Sequence, residues 1–181
     1  MSSQQQQQHD PGEVIDEAYT KYVSGDLESA RLTVHAAILD WQDDYCYSFD
    51  EDSDSPAKRL LRSNLASLWI GYAGLNAAAR QFNSARNVYE EAVRDCPAAS
   101  RVAAVWVAYA KFCRDRGMAA KAQRVFVQAL SSSSSPSGKE GGEGEPPPAS
   151  LVAEEAERDI LWRGVWGMMR ETAGGGGAPA G

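Results

Sequence analysis

Leu68-Trp69-Ile70-Gly71-Tyr72-Ala73 opens a block that closes with Ala85-Arg86-Asn87-Val88-Tyr89-Glu90-Glu91-Ala92-Val93. Val105-Trp106-Val107-Ala108-Tyr109-Ala110 opens a second block, and Ala122-Gln123-Arg124-Val125-Phe126-Val127-Gln128-Ala129-Leu130 closes it. Trp69 and Trp106, Tyr72 and Tyr109, Ala85 and Ala122, Tyr89 and Phe126, and Ala92 and Ala129 each stand 37 residues apart. A constant offset between matching residues is the mark of a repeated structural unit, and it decides the fold before any single motif is weighed.

Within each block the large residues recur at helical spacing. Trp69, Tyr72 and Leu75 form a stripe on one helix, and Ala85, Val88, Tyr89, Ala92 and Val93 form a stripe on the next. The polar stretch Arg80-Gln81-Phe82-Asn83-Ser84 separates them, with Asn83 or Ser84 expected to cap the second helix. Gly117, in the matching stretch of the second block, suits a turn that needs positive φ. Each block is therefore a helical hairpin. The small alanines let its helices approach, and the aromatics fill the gaps between neighbouring layers. The expected repeat core is Trp69, Tyr72, Ala85, Tyr89 and Ala92, with Trp106, Tyr109, Ala122, Phe126 and Ala129. Stacking of bases on the four helix-A aromatics is the sharper alternative, but their phase with Leu75 and Phe112 favours an interior role.

Working outward, residues 12–42 read as a degenerate first hairpin. Ala30 and Arg31 lie 55 before Ala85 and Arg86, and Val14 takes the place of Trp69. Most of the excess over 37 falls in an acidic insertion, 43–55, which lacks the glycine and terminal glutamate of a calcium loop. Residues 1–11 form a glutamine-rich tail expected to be disordered. Ser55-Pro56 restarts the helix as cap and first-turn proline, opening the two clear hairpins of 56–130, and Ser100 is the expected cap of the helix carrying Trp106. A Ser/Gly/Pro-rich loop follows over 131–149, then a helix over 150–172 and a glycine-rich tail over 173–181. Leu161-Trp162 matches Leu68-Trp69, but no second helix follows. Trp162, Trp166, Met168 and Met169 leave that helix more apolar than one neighbour can cover, which makes Trp162, Trp166 and Met169 candidates for docking a partner. An unpaired end helix is also consistent with a homodimer or with a longer array.

Charge divides along the chain. The whole carries −7, whereas residues 58–130 hold twelve basic side chains against four acidic ones, a net of +8. Arg114, Arg116, Lys121 and Arg124 make a candidate basic patch. It lacks interleaved exposed aromatics, so a solvated face is the expected role and direct RNA binding the lesser one. Two histidines and three scattered cysteines give no metal-ligand spacing and read as free thiols of a reducing compartment. No residues supply a catalytic nucleophile with its base, a metal cage or a phosphate loop, so neither catalysis nor a cofactor is expected. No basic, apolar leader and no run long enough to cross a membrane appears.

The pattern Trp69-x-x-Tyr72 followed by Ala85-Arg86-Asn87-Val88-Tyr89-Glu90-Glu91-Ala92-Val93 and Pro97 resembles the half-a-TPR (HAT) repeat. The second copy resembles it through Trp106, Tyr109, Ala122, Val125, Phe126, Ala129 and Leu130. It departs at Gln123, where the family usually has Arg, and at Val127, where Glu is usual. A tetratricopeptide repeat shares the spacing, but its period is about 34 residues. The resemblance implies an all-α fold, an α-α superhelix of about three hairpins plus one C-terminal helix. It also implies a non-catalytic scaffold in the nucleus that binds protein subunits of a pre-mRNA splicing or 3′-end-processing complex, in the manner of Crooked-neck-like and suppressor-of-forked-like proteins. In that family the arginine matching Arg86 pairs with a carboxylate of the neighbouring repeat. The alternative is a cytoplasmic TPR-like adaptor, whose carboxylate clamp would draw on Lys111 and Asn76.

Overall fold

The turn that closes each hairpin is the same local structure, built three times. Gly25, Arg80 and Gly117 adopt left-handed backbone, with φ of 96°, 58° and 73°. At each, the residue's N–H donates to the carbonyl three residues back: Gly25 to Tyr22, Arg80 to Ala77, Gly117 to Arg114. The next N–H reaches five back: Asp26 to Lys21, Gln81 to Asn76, Met118 to Cys113. This is a Schellman ending, which satisfies the last carbonyls of one helix and reverses the chain into the next. Glycine takes the left-handed conformation without a Cβ clash, and Arg80 is the position where a side chain must tolerate it.

The computed structural model describes residues 10–47, 55–131 and 155–174. Among them every element is a helix: α1 (Pro11–Val23), α2 (Leu27–Tyr47), α3 (Pro56–Ala78), α4 (Phe82–Arg94), α5 (Pro97–Ser100), α6 (Ala103–Asp115), α7 (Ala119–Leu130) and α8 (Glu155–Gly174). The chain divides into two units, Met1–Ala99 and Ser100–Gly181. Most of the glutamine-rich tail, the distal part of the acidic insertion, the Ser/Gly/Pro-rich loop and most of the glycine-rich tail lie outside the described residues.

In the first unit α1 packs on α2 and α3, α2 on α3, and α3 on α4. Ser55 caps α3 as its sequence predicts, its Oγ accepting from Lys58 N at 3.3 Å. Close approach is literal at Gly71, where a Cβ would fall 2.7 Å from Ile15 Cδ1 of α1. Asp26 caps α2 by accepting from Ser29 N at 3.0 Å. Hydrogen bonds from Ser29, its side chain first and then its backbone, hold the Asp26 carboxyl below the usual carboxylate range. Two expectations are corrected here. The second helix of the first clear hairpin starts at Phe82 after Gln81, not at an Asn83 or Ser84 cap, because the Schellman turn at Arg80 delivers the chain into helix two residues sooner. The acidic insertion does not begin at 43: α2 runs on through Asp43, Asp44 and Cys46 to Tyr47.

In the second unit α6 packs on α7, and α8 packs on both. Ser100 is not the cap of α6. That helix begins at Ala103 after Val102, and the Ser100 carbonyl instead accepts from Trp106 Nε1 at 2.7 Å. Glu157 of α8 takes over the capping: its Oε2 accepts from Ala103 N at 2.6 Å. Trp69, Ala85, Tyr89, Ala92, Trp106, Tyr109, Ala122, Phe126 and Ala129 are all buried. So are Ala18, Ala73 and Ala110 on the first helices of the hairpins, and Ala30, Ala85 and Ala122 on the second ones. α8 departs from its sequence match. Leu161 is fully buried, but Trp162 is 48% exposed where Trp69 and Trp106 are interior.

Candidate docking groove on the C-terminal unit

α7 buries Ala122, Val125, Phe126 and Ala129 against α6, the face expected of an amphipathic helix. Its neighbouring face is apolar too, and it is not covered: Val127 is 63% exposed. α8 lies beside that face, with Gly164 close enough that a Cβ would meet Phe126 Cε1 at 3.1 Å and Val107 Cγ2 at 3.2 Å. The glycine lets α8 settle on its Leu161 edge, which is buried, while Trp162, Trp166 and Met169 are exposed. Between the two helices runs a groove of about 370 Å³, lined by Gln123, Phe126, Val127 and Leu130 from α7 and by Trp162, Val165 and Met169 from α8. Arg114 and Ala119 close one end. The lining contains one cation and no carboxylate.

Each sequence-predicted site residue has a definite place. Trp162 and Met169 line the groove and Trp166 is exposed beside them. The candidate basic patch is not a single surface of equivalent cations. Arg114 is half-buried at the groove end with its Nη2 3.6 Å from Asp115 Oδ1, and Lys121 Nζ lies 5.7 Å from the Tyr109 ring centroid. Arg116 and Arg124 are exposed. Tyr72 differs from the other expected core residues. It is half-buried and borders a polar notch of the first unit with His35, Arg31, Asn76 and Ser84, its ring 6.2 Å from that of His35. Burial raises its phenol above the ordinary value.

That notch is already occupied by the protein's own hydrogen bonds. Asn76 is buried, and its Oδ1 accepts from Arg31 Nε at 3.0 Å and Nη2 at 2.6 Å, while its Nδ2 donates to Tyr72 O at 2.8 Å. Arg31 also donates to Gln81 Oε1. Asn76 is thus buried within the notch's own hydrogen-bond network, with its Oδ1 and one of its two Nδ2 hydrogens engaged, rather than presented to solvent as a clamp residue would be. Arg86, expected to reach a neighbouring repeat, finds its ion-pair partner on its own helix, with Nε 3.8 Å from Glu90 Oε1.

Sequence reasoning missed Arg114, Phe126, Val127, Leu130 and Val165 as parts of a groove. The signal was present at Gln123 and Val127. These two departures from the repeat pattern fall 37 residues after Arg86 and Glu90, and both line the groove. Among the described residues no group of three or more His, Cys, Asp or Glu side chains is placed to hold a metal ion, and no helix is long and apolar enough to cross a membrane. Comparison with protein-family models, with curated proteins and with solved structures finds no match.

Proposed function

We propose that this chain is a non-catalytic helical-repeat scaffold of HAT type, an α-α superhelix that holds protein subunits of a nuclear RNA-processing assembly, in pre-mRNA splicing or 3′-end processing. One observation carries the repeat: three hairpins share the same left-handed turn at Gly25, Arg80 and Gly117, and the two clear copies share a buried tryptophan–alanine seam at an offset of 37. A repeat of that kind offers surface rather than a reaction centre, and an open apolar groove with exposed tryptophans fits protein docking better than phosphate contact. The assembly and the compartment come from the resemblance of Trp69, Tyr72 and the Ala85–Val93 segment to the HAT pattern.

Affinity purification of the tagged full chain from nuclear extract, with identification of what co-purifies, tests this. Splicing or cleavage-factor subunits are the expected result. Chaperones in their place would make the chain a cytoplasmic peptide adaptor. RNA retained with a steep dependence on salt would make it a direct RNA binder.

A further inference from the structure

The repeat departs from its own pattern on one face, and that face is open. In α4 the outward positions hold Arg86 and Glu90, a part-exposed ion pair in which the Arg86 Nε is itself buried. The equivalent positions of α7 hold Gln123 and Val127, and neither is covered by α8. Packing against α8 does not account for a valine left 63% exposed. Across the groove, Trp162, Trp166 and Met169 follow at spacings of four and three on α8, two turns of exposed large apolar side chains. A groove between two helices with ridges on both walls accepts a third helix. Its floor from Ala119 to Leu130 is roughly 16 Å long by helical rise, or about three turns.

Charge selects the occupant. Glu157 ties the start of α8 to the start of α6, so α8 runs beside α6 and brings Met169 to the end where α6 finishes at Asp115 and α7 begins at Ala119. Arg114 lines the groove at that end, Arg116 and Arg170 are exposed near it, and no side chain caps the first turn of α7. Asp115 pairs with Arg114 there, and Arg116, Arg170, the uncapped N–H groups and the helix dipole leave that end net positive.

We propose that the α7/α8 groove binds an amphipathic helix of a partner protein, about three turns long, with a bulky apolar face and carboxylates at the end that meets Arg114. This rests on the scaffold reading and names the class of partner at that site.

The test is a titration of a fluorescein-labelled designed helix of about 16 residues into the full chain, read by anisotropy. The peptide carries leucines at spacings of four and three and glutamates at one end. Its control has lysines in place of the glutamates. The acidic peptide is expected to bind roughly tenfold more tightly at low salt, with the gap closing toward about 0.5 M salt. Val127→Glu, an exposed position, abolishes binding with the thermal melt unchanged. Arg114→Gln removes the preference for the acidic peptide. Equal affinity for both peptides, binding that survives Val127→Glu, or displacement of the peptide by polyuridine RNA overturns the proposal. So does a doubled mass in light scattering that Val127→Glu reverses, which would make a second copy the occupant. Purification with the Val127→Glu chain separates the two readings. RNA-processing subunits that still co-purify, with no peptide binding by the native chain, leave the scaffold standing and this inference fallen.

Discussion

α4 and α7 are the second helices of matched hairpins, alike inside and different outside. Ala85 and Ala122, Tyr89 and Phe126, and Ala92 and Ala129 are buried in both. Outside, α4 presents Arg86 and Glu90, whereas α7 presents Gln123 and Val127 to an apolar groove. The interior residues are those two close-packed helices require, so the shared pattern speaks for the fold. The outward residues are part-exposed in α4 and exposed in α7, so their difference speaks for what the surface meets. A similar contrast runs through the first helices. Trp69 is 2% exposed and Trp106 is not exposed at all, yet Trp106 Nε1 donates to Ser100 O at 2.7 Å while Trp69 Nε1 has no partner. The cause is where each helix begins. α6 starts three residues before Trp106, leaving the Ser100 carbonyl outside the helix. α3 starts thirteen residues before Trp69, and the carbonyl six residues back belongs to Ser63, inside the helix and already accepting from Ser67 Oγ.

The largest effect should come from the shared interior. Trp106→Ala is expected to destabilise the second unit by roughly 3–5 kcal/mol, read as an early transition in urea unfolding; a midpoint like that of the native chain would contradict an interior role. Substitution by phenylalanine sharpens the contrast between the copies. Trp106→Phe removes the buried indole donor to the Ser100 carbonyl and should cost about 1–3 kcal/mol more than Trp69→Phe, which removes a donor that has no acceptor. Equal losses would mean that the indole hydrogen bond contributes nothing.

The turns respond next, in opposite senses. Gly117→Ala puts a Cβ into left-handed backbone and should cost about 1–2 kcal/mol, whereas Arg80→Gly relieves the same strain and should stabilise the first unit by about 0.5–1 kcal/mol. Chemical denaturation of the two variants against the native chain measures both signs. The smallest effect on stability belongs to the outer faces. Writing the α4 pair into α7 as Gln123→Arg with Val127→Glu should shift stability by less than about 0.5 kcal/mol, because Val127 and Gln123 lie at the surface. A large loss there would mean that the groove is packed shut in solution.

The hairpins were legible because their signal is periodic and redundant: tryptophan, tyrosine and alanine recur in phase over both blocks, and Gly117 announces its turn. Arg80 gave no such notice. A turn residue in left-handed backbone is read from glycine, and arginine there is visible only once the carbonyls of Ala77 and Asn76 are seen to be engaged. That misplacement carried over to the cap, since Asn83 and Ser84 are good capping residues one and two positions inside the true helix. The end of α2 was hidden for a different reason. Asp43 and Asp44 look like a loop by composition, although a solvated helix accepts them readily. Leu161-Trp162 matched Leu68-Trp69 in the pattern, yet only Leu161 is interior, and the close approach of α8 falls at Gly164, a residue with no side chain to register in a pattern. The groove itself was half legible, since Trp162, Trp166 and Met169 stood out as uncovered and Val127 broke the repeat.

Glu157 fastens to Ala103 from 54 residues further along the chain. The stretch between Leu130 and Glu155 can vary in number of residues without altering that fastening, because the entropy of chain closure grows only as the logarithm of length. A protease cut anywhere between Leu130 and Glu155 should therefore leave the severed α8 seated on α6 through gel filtration. A recombinant product trimmed at Leu130 should emerge with the first turn of α6 bared and a tendency to aggregate.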